Sequence, residues 1–75
     1  MMYSLKTLSK PTLAKGHHVL IDIELARMHG ADEEQIKKLH KKFYSIIPHN
    51  DSHPILSENK IYVKRALILA AIKDY

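Results

Sequence analysis

Hydrophobic residues recur along this 75-residue chain with the spacing of amphipathic helices. The clearest stripe lies in the middle of the chain, where apolar residues are separated by three, four, three and one positions: Ile36, Leu39, Phe43, Ile46 and Ile47. Such spacings place side chains on one face of a helix. Pro48 disfavours helical backbone at Ile47, so the helix must end there. The pattern predicts a helix over residues 32–47 that places Phe43, Ile46 and Ile47 in a core.

A longer helix is predicted before it, over residues 9–29. Ser9 is a candidate N-cap, Pro11 is tolerated in the first turn, and Gly30 is typical of the residue that follows a helix. Residues at helical spacing define its inner face: Leu13, Gly16, His17, Leu20, Ile23 and Arg27, with Ile21 and Leu25 beside them. Glycine inside a helix costs about 1 kcal/mol relative to alanine. We therefore expect another helix to approach closely at Gly16, unless Gly16 is simply a weak point.

The middle helix has a predicted start as well as an end. Asp32 can cap it, and Gln35 three residues later completes a capping-box pattern. Ser57 is the corresponding cap of a third helix, predicted over residues 57–74.

The third helix has no polar residue between Ala66 and Ile72 and shows no cap before Tyr75. A helix that is apolar all round must be covered all round, and two short helices cover only part of it. We therefore expect Leu67, Ile68, Leu69 and Ile72 to form an interface, and the chain to be a piece, or one partner, of something larger.

These elements predict an all-α fold in a single domain over residues 1–75, a small bundle of three main helices. Leu20 and Phe43 are expected to be buried against each other's helices. No alternating strand pattern longer than a few residues occurs. Whether this is a truncated version of a larger bundle stays open at this point.

Charge adds a candidate surface to this picture. The chain carries a formal net charge of +4 with a pI of about 9.4. Four lysines lie on the outer side of the middle helix as a candidate basic patch: Lys37, Lys38, Lys41 and Lys42. The patch is either solvated or held near an acidic surface. Specific DNA recognition is disfavoured because Arg27 and Arg65 are the only arginines, and base reading relies mainly on Arg, Asn and Gln.

Chemistry-bearing residues form no recognisable catalytic or metal set. Six histidines are present, but His49 and His53, spaced four apart, flank a predicted loop, so surface histidines are the expectation and no metal site is predicted. No nucleophile has an evident base, and no glycine-rich phosphate loop is present. No run of about 20 apolar residues, the length of a membrane span, occurs. The absence of cysteine is compatible with an intracellular protein.

Two strings of residues resemble a known family. Leu8-Ser9-Lys10 precedes the first helix, and Phe43-Tyr44-Ser45-Ile46-Ile47-Pro48-His49 ends the second. Their order and separation resemble the regulatory (helical) domain of poly(ADP-ribose) polymerases. The most specific part is Phe-Tyr-x-x-Ile-Pro-His, which makes Phe43, Tyr44, Ile47, Pro48 and His49 signature positions. The resemblance covers roughly residues 5–72.

The resemblance implies a non-catalytic, autoinhibitory domain that packs on an ADP-ribosyltransferase catalytic domain, in cis or in trans. In such enzymes the helical domain holds the NAD pocket closed until a DNA break is sensed elsewhere in the protein. It contributes no catalytic residue and binds no cofactor itself, because NAD belongs to the catalytic domain. Acidic residues of the final helix face that pocket in the family, and Leu69 and Lys73 stand at about those places here. A nuclear location and a part in the DNA damage response are also implied.

Two alternatives stay open. The chain could be a stand-alone interaction module whose third helix docks on an unrelated protein. It could instead be a basic helical domain that binds nucleic acid through the four lysines, in which case binding would be strongly salt-dependent. Binding to a transferase catalytic domain would favour the regulatory interpretation. Under the regulatory interpretation, the isolated chain is expected to self-associate through the third helix.

Overall fold

The computed structural model describes residues 7–47 and 55–74, and within them the chain forms three α-helices and no strand. Helix α1 spans Lys10–Met28, α2 spans Glu33–Ile46 and α3 spans Glu58–Lys73. The predicted all-α fold and its three helices are confirmed, with each helix one residue or so shorter than predicted at its ends. The connector between α2 and α3, including Pro48, His49 and His53, lies largely outside the described residues.

Each helix begins at the polar residue that the sequence nominates as its cap. The Ser9 hydroxyl accepts from the backbone N–H of Thr12 at 3.3 Å, the Asp32 carboxylate from that of Gln35 at 2.9 Å, and the Ser57 hydroxyl from that of Lys60 at 3.4 Å. Each of these bonds satisfies a backbone donor that the helix itself leaves unpaired.

The ends of the helices also follow from local chemistry. Gly30 follows α1 with φ of +74°, a conformation that glycine adopts without steric cost. Ile47 leaves the helical region at the end of α2, with φ of −111° and ψ of 96°, as the residue before a proline should.

Helix α1 is the centre of the molecule. It packs against both α2 and α3, whereas α2 and α3 make little contact with each other. The buried apolar side chains come from all three helices and their flanks: Leu13, Val19, Leu20, Ile23, Phe43, Tyr44, Ile47, Leu56, Ile61, Ile68 and Ala71. Leu20 and Phe43 both lie in this core, as expected. Val19 is buried although it was not assigned to the inner face, and Leu25, placed beside that face, is half-exposed.

The close approach expected at Gly16 is present. A Cβ atom at this position would lie 2.5 Å from Cγ1 and 2.7 Å from Cδ1 of Ile47, and 3.7 Å from the ring of Phe43. Both neighbours are buried, so they have little room to move away. Gly16 is therefore the point at which the end of α2 rests on α1.

Candidate functional site

The third helix shows three different faces. Its core face carries the buried residues Ile61, Ile68 and Ala71. Because successive residues of a helix are rotated by about 100°, the remaining apolar side chains divide between two outer flanks. One flank, the Leu69 face, consists of Tyr62, Ala66, Leu69 and Lys73. The other carries Val63, Leu67 and Ala70. All seven of these outer residues are exposed.

Four large apolar side chains on these flanks are exposed to solvent. Tyr62 is 72% exposed, Leu67 55%, Val63 54% and Leu69 47%. Scattered surface leucines need no explanation, but a contiguous apolar surface usually marks an interaction site. Most of the outer surface of α3 is thus apolar, in agreement with the unbroken apolar run in its sequence.

The predicted interface residues do not share one surface. Leu67 and Leu69 are exposed, but on different flanks. Ile68 is only 1% exposed and packs in the core, so its assignment to an interface is wrong. Ile72 is half-buried and packs against the core cluster, so it contributes only an edge. Part of the apolar surface of α3 is covered within the chain itself, because α1 packs on the side that holds Ile61, Ile68 and Ala71.

A groove runs between α2 and α3, on the side where these helices fail to meet. Its volume is about 380 Å³, and its lining is mostly apolar. We define the α2–α3 groove by its lining residues: Tyr44, Leu56, Asn59, Lys60, Val63, Lys64 and Leu67. Its floor is formed by Tyr44 and Leu56, both buried, and burial raises the pKa of the Tyr44 phenol.

Side chains from both other helices hold the start of α3. The backbone N–H of Leu56 donates to Nε2 of His40 on α2 at 2.8 Å, and the Leu56 carbonyl accepts from the guanidinium of Arg27 on α1. Nδ1 of His40 in turn lies 2.9 Å from the carbonyl oxygen of Ile36. Since Nε2 accepts, His40 is neutral and carries its proton on Nδ1, which donates to Ile36. Both polar groups of the Leu56 backbone are thereby satisfied within the protein.

His40 departs from the expectation of surface histidines. It is only 5% exposed, and no other polar or charged residue of the described chain is buried. The sequence signal was its position beside the apolar stripe, directly after Leu39 and three residues before Phe43. Its partner Leu56 is 16 residues away, so the spacing of helical residues could not reveal the bond.

A polar cluster joins the middle of α3 to α1. Nη1 of Arg65 donates to the Glu24 carboxylate at 2.7 Å, and Nε of Arg65 donates to Nε2 of His17 at 3.4 Å. Burial, followed by the positive charges of Arg65 and His18, lowers the pKa of His17 below its ordinary value of 6.5, while Glu24 opposes the shift. The cluster therefore favours a neutral His17.

The other predicted residues have separate places in the structure. Phe43 and Tyr44 pack edge to face with ring centroids 5.3 Å apart, and Ile47 is buried beside Gly16. The remaining signature residues, Pro48 and His49, lie outside the described residues. The four lysines of the basic patch are exposed on the outer side of α2, so the patch stays a prediction.

The described part of the chain contains neither a candidate metal cluster nor a helix that could cross a membrane. Across residues 7–47 and 55–74, no group of three or more His, Asp or Glu side chains could hold a metal ion. None of the described helices combines the length and the apolar character needed to cross a bilayer.

Comparison with known proteins assigns this helical arrangement to a family. No curated protein and no solved structure is matched by the chain. The family model for the poly(ADP-ribose) polymerase regulatory domain, in contrast, matches residues 2–75, nearly the whole chain. This agrees with the signature at the end of α2 and with the all-α bundle of the described residues. The chain belongs to the family of poly(ADP-ribose) polymerase regulatory domains.

Proposed function

We propose that this domain is an autoinhibitory regulator that packs on an ADP-ribosyltransferase catalytic domain and limits access of NAD to its pocket. The observation that carries the proposal is the Leu69 face of α3. It presents Tyr62, Ala66 and Leu69 to solvent at spacings of four and three residues. A single apolar stripe of this kind suits docking against the surface of another domain.

Family membership supports the choice of partner. A regulatory domain of this family has a catalytic domain in its parent protein, and that domain is the natural cover for an apolar helix face. Leu69 and Lys73 also stand at about the positions where the resemblance places residues that face the NAD pocket. Because Leu69 and Lys73 carry no negative charge, we infer that NAD access is limited here by steric cover and apolar packing rather than by acidic side chains.

The chain's own chemistry is consistent with a regulatory role. Arg65 of α3 donates hydrogen bonds to Glu24 and His17 of α1, and this polar cluster ties the two helices together. Through the family, the proposal assigns NAD to the catalytic domain. The DNA damage response and a nuclear location belong to this proposal through the family.

A mixing experiment tests the proposal. The 75-residue chain is titrated into an isolated catalytic domain of the poly(ADP-ribose) polymerase type, with binding followed by calorimetry and NAD turnover in parallel. We expect the chain to bind and to lower NAD turnover. Replacing the half-exposed Leu69 by Lys (Leu69→Lys) should weaken binding by about tenfold or more, because it puts a charge into an apolar contact.

A variant on the opposite flank provides the control. Val63→Lys changes a side chain of similar exposure that is not on the Leu69 face, so it should leave binding and inhibition unchanged. Circular dichroism must show equal helix content in both variants. Absence of binding, or equal loss in both variants, would contradict docking through the Leu69 face. Sedimentation of wild type and of Leu69→Lys, each without the catalytic domain, would show whether the same face drives the expected self-association.

A further inference from the structure

The α2–α3 groove is a second surface, separate from the Leu69 face. Helices α2 and α3 both pack on α1 and make little contact with each other, which leaves a channel between them. The floor of this channel is the buried pair Tyr44 and Leu56. Val63 and Leu67 form the α3 wall and are each more than half exposed. Val63 and Leu67 therefore expose apolar surface to water inside a concave groove. Ligand-binding sites are typically concave and mostly apolar.

The shape of the channel suits a helix. From Asn59 to Leu67 the α3 wall rises about 12 Å, which corresponds to roughly two helical turns. Val63 and Leu67 are four residues apart and therefore form a ridge against which the apolar residues of another helix can interdigitate. A helix lying in a groove uses anchors at positions i, i+3 or i+4, and i+7, which match this length.

The charges on the groove indicate the chemistry of that helix. Lys60 and Lys64, also four residues apart, both line the groove. The described residues that line it include no aspartate or glutamate. A partner with carboxylates beside its apolar stripe would be attracted to this wall, whereas a basic partner would be repelled.

We propose that the α2–α3 groove binds an acidic amphipathic helix, which would complete a four-helix arrangement over the α2–α3 side of α1. The apolar stripe of the helix contacts Tyr44, Val63 and Leu67, and its flanking carboxylates meet Lys60 and Lys64. This inference does not rest on the proposed function, because the Leu69 face lies on the other outer flank of α3.

A synthetic peptide tests the groove directly. The probe is a helical peptide of about 14 residues with leucines at positions i, i+4 and i+7 and glutamates beside them. It is titrated into the 75-residue chain while backbone amide signals are followed by NMR. We expect saturable binding with the largest signal changes around Val63 and Leu67.

Charge reversal separates groove binding from general attraction to a basic protein. Lys60→Glu combined with Lys64→Glu should weaken binding of the acidic peptide by about tenfold, and a peptide with lysines in place of the glutamates should then bind this variant more tightly than wild type. Lys37→Glu combined with Lys41→Glu is the matched control. It alters an exposed lysine pair of the same spacing and net charge on α2, outside the groove, and should change affinity little.

Three outcomes would overturn the proposal. They are the absence of saturable binding to a chain shown to be folded, an equal loss of affinity in the two lysine-pair variants, and signal changes centred on Tyr62 and Leu69. Leu69→Lys distinguishes this proposal from the regulatory one, because it should weaken binding to the catalytic domain and leave peptide affinity unchanged.

Discussion

At the scale of single residues, Gly16 and His40 determine how parts of the chain distant in sequence pack together. Gly16 lets the end of α2 approach α1, because a Cβ atom there would overlap Ile47. His40, in contrast, fills buried space with its side chain. Its two ring nitrogens form hydrogen bonds with the backbone carbonyl of Ile36 and the backbone N–H of Leu56. A buried backbone N–H without a partner costs about 1–3 kcal/mol, so the Leu56 bond matters to the stability of the junction.

Gly16→Ala should destabilise the protein although alanine is the better helix former. The gain in helix propensity is about 1 kcal/mol, whereas overpacking of a core typically costs about 1–3 kcal/mol. We expect a lower midpoint in urea, measured by circular dichroism. Combining it with Ile47→Ala, which removes both Cγ1 and Cδ1, should cost less than the sum of the single changes because the two side chains compete for one space. Strict additivity would show that α2 does not contact α1 at this point.

At the scale of elements, α3 is held by its ties to the rest of the bundle at two levels. His40 and Arg27 hold the backbone of Leu56 at its start, and Arg65 reaches Glu24 and His17 of α1 half-way along. In addition to these hydrogen bonds, the buried side chains of Ile61 and Ile68 pack in the hydrophobic core. Such a helix can present two outer flanks because only one of its faces is needed for folding.

The cluster of Arg65 and His17 makes the stability of this tie depend on pH. The folded-state pKa of His17 is lowered from 6.5, so the unfolded chain takes up a proton at a higher pH than the folded chain does. Stability should therefore fall as the pH falls below about 6.5, until the lowered pKa is passed, and should be unaffected above that range. In His17→Gln this contribution should be absent.

Urea unfolding of both proteins between neutral pH and pH 5 checks this prediction. The difference between wild type and His17→Gln isolates the contribution of His17, since every other histidine is present in both proteins. A difference that stays constant with pH would show that protonation of His17 does not disturb the cluster.

At the scale of the whole molecule, α1, the longest of the three helices, holds the other two together. Helices α2 and α3 are connected chiefly through α1. The side chains on the inner face of α1 therefore belong to the one core that all three helices share. A domain of 75 residues has roughly 4–11 kcal/mol of total stability. The loss of one large side chain can therefore consume much of it.

Phe43→Ala removes the largest fully buried side chain and should cost about 3–5 kcal/mol. We expect the variant to lose much of its helical circular dichroism at room temperature. Tyr62→Ala is the control, since a substitution at a 72% exposed aromatic residue should change stability by no more than about 0.5 kcal/mol. If Phe43→Ala melts within a few degrees of wild type, the packing centre lies elsewhere.

The sequence by itself determined the local features of this protein. The three helices, the caps at Ser9, Asp32 and Ser57, the end of α2 before Pro48 and the glycine after α1 all follow from interactions within four residues. The signature at the end of α2 also identified the family, and the family model confirms it. Each of these features is written in neighbouring residues, so no knowledge of packing is needed to read it.

Only the tertiary structure decided which side of α3 is covered. Spacing showed that α3 has apolar residues all round, but not that Ile68 is buried while Leu67 and Leu69 face solvent on opposite flanks. His40 bonds to Leu56, 16 residues away, and Arg65 to Glu24, 41 residues away. Neighbouring residues do not indicate which helices will face each other, so these pairs could not be predicted. The α2–α3 groove likewise exists because both helices pack on α1 and leave a gap between them. Such features depend on how helices are oriented in space, and that orientation is a property of the packed core rather than of any one segment.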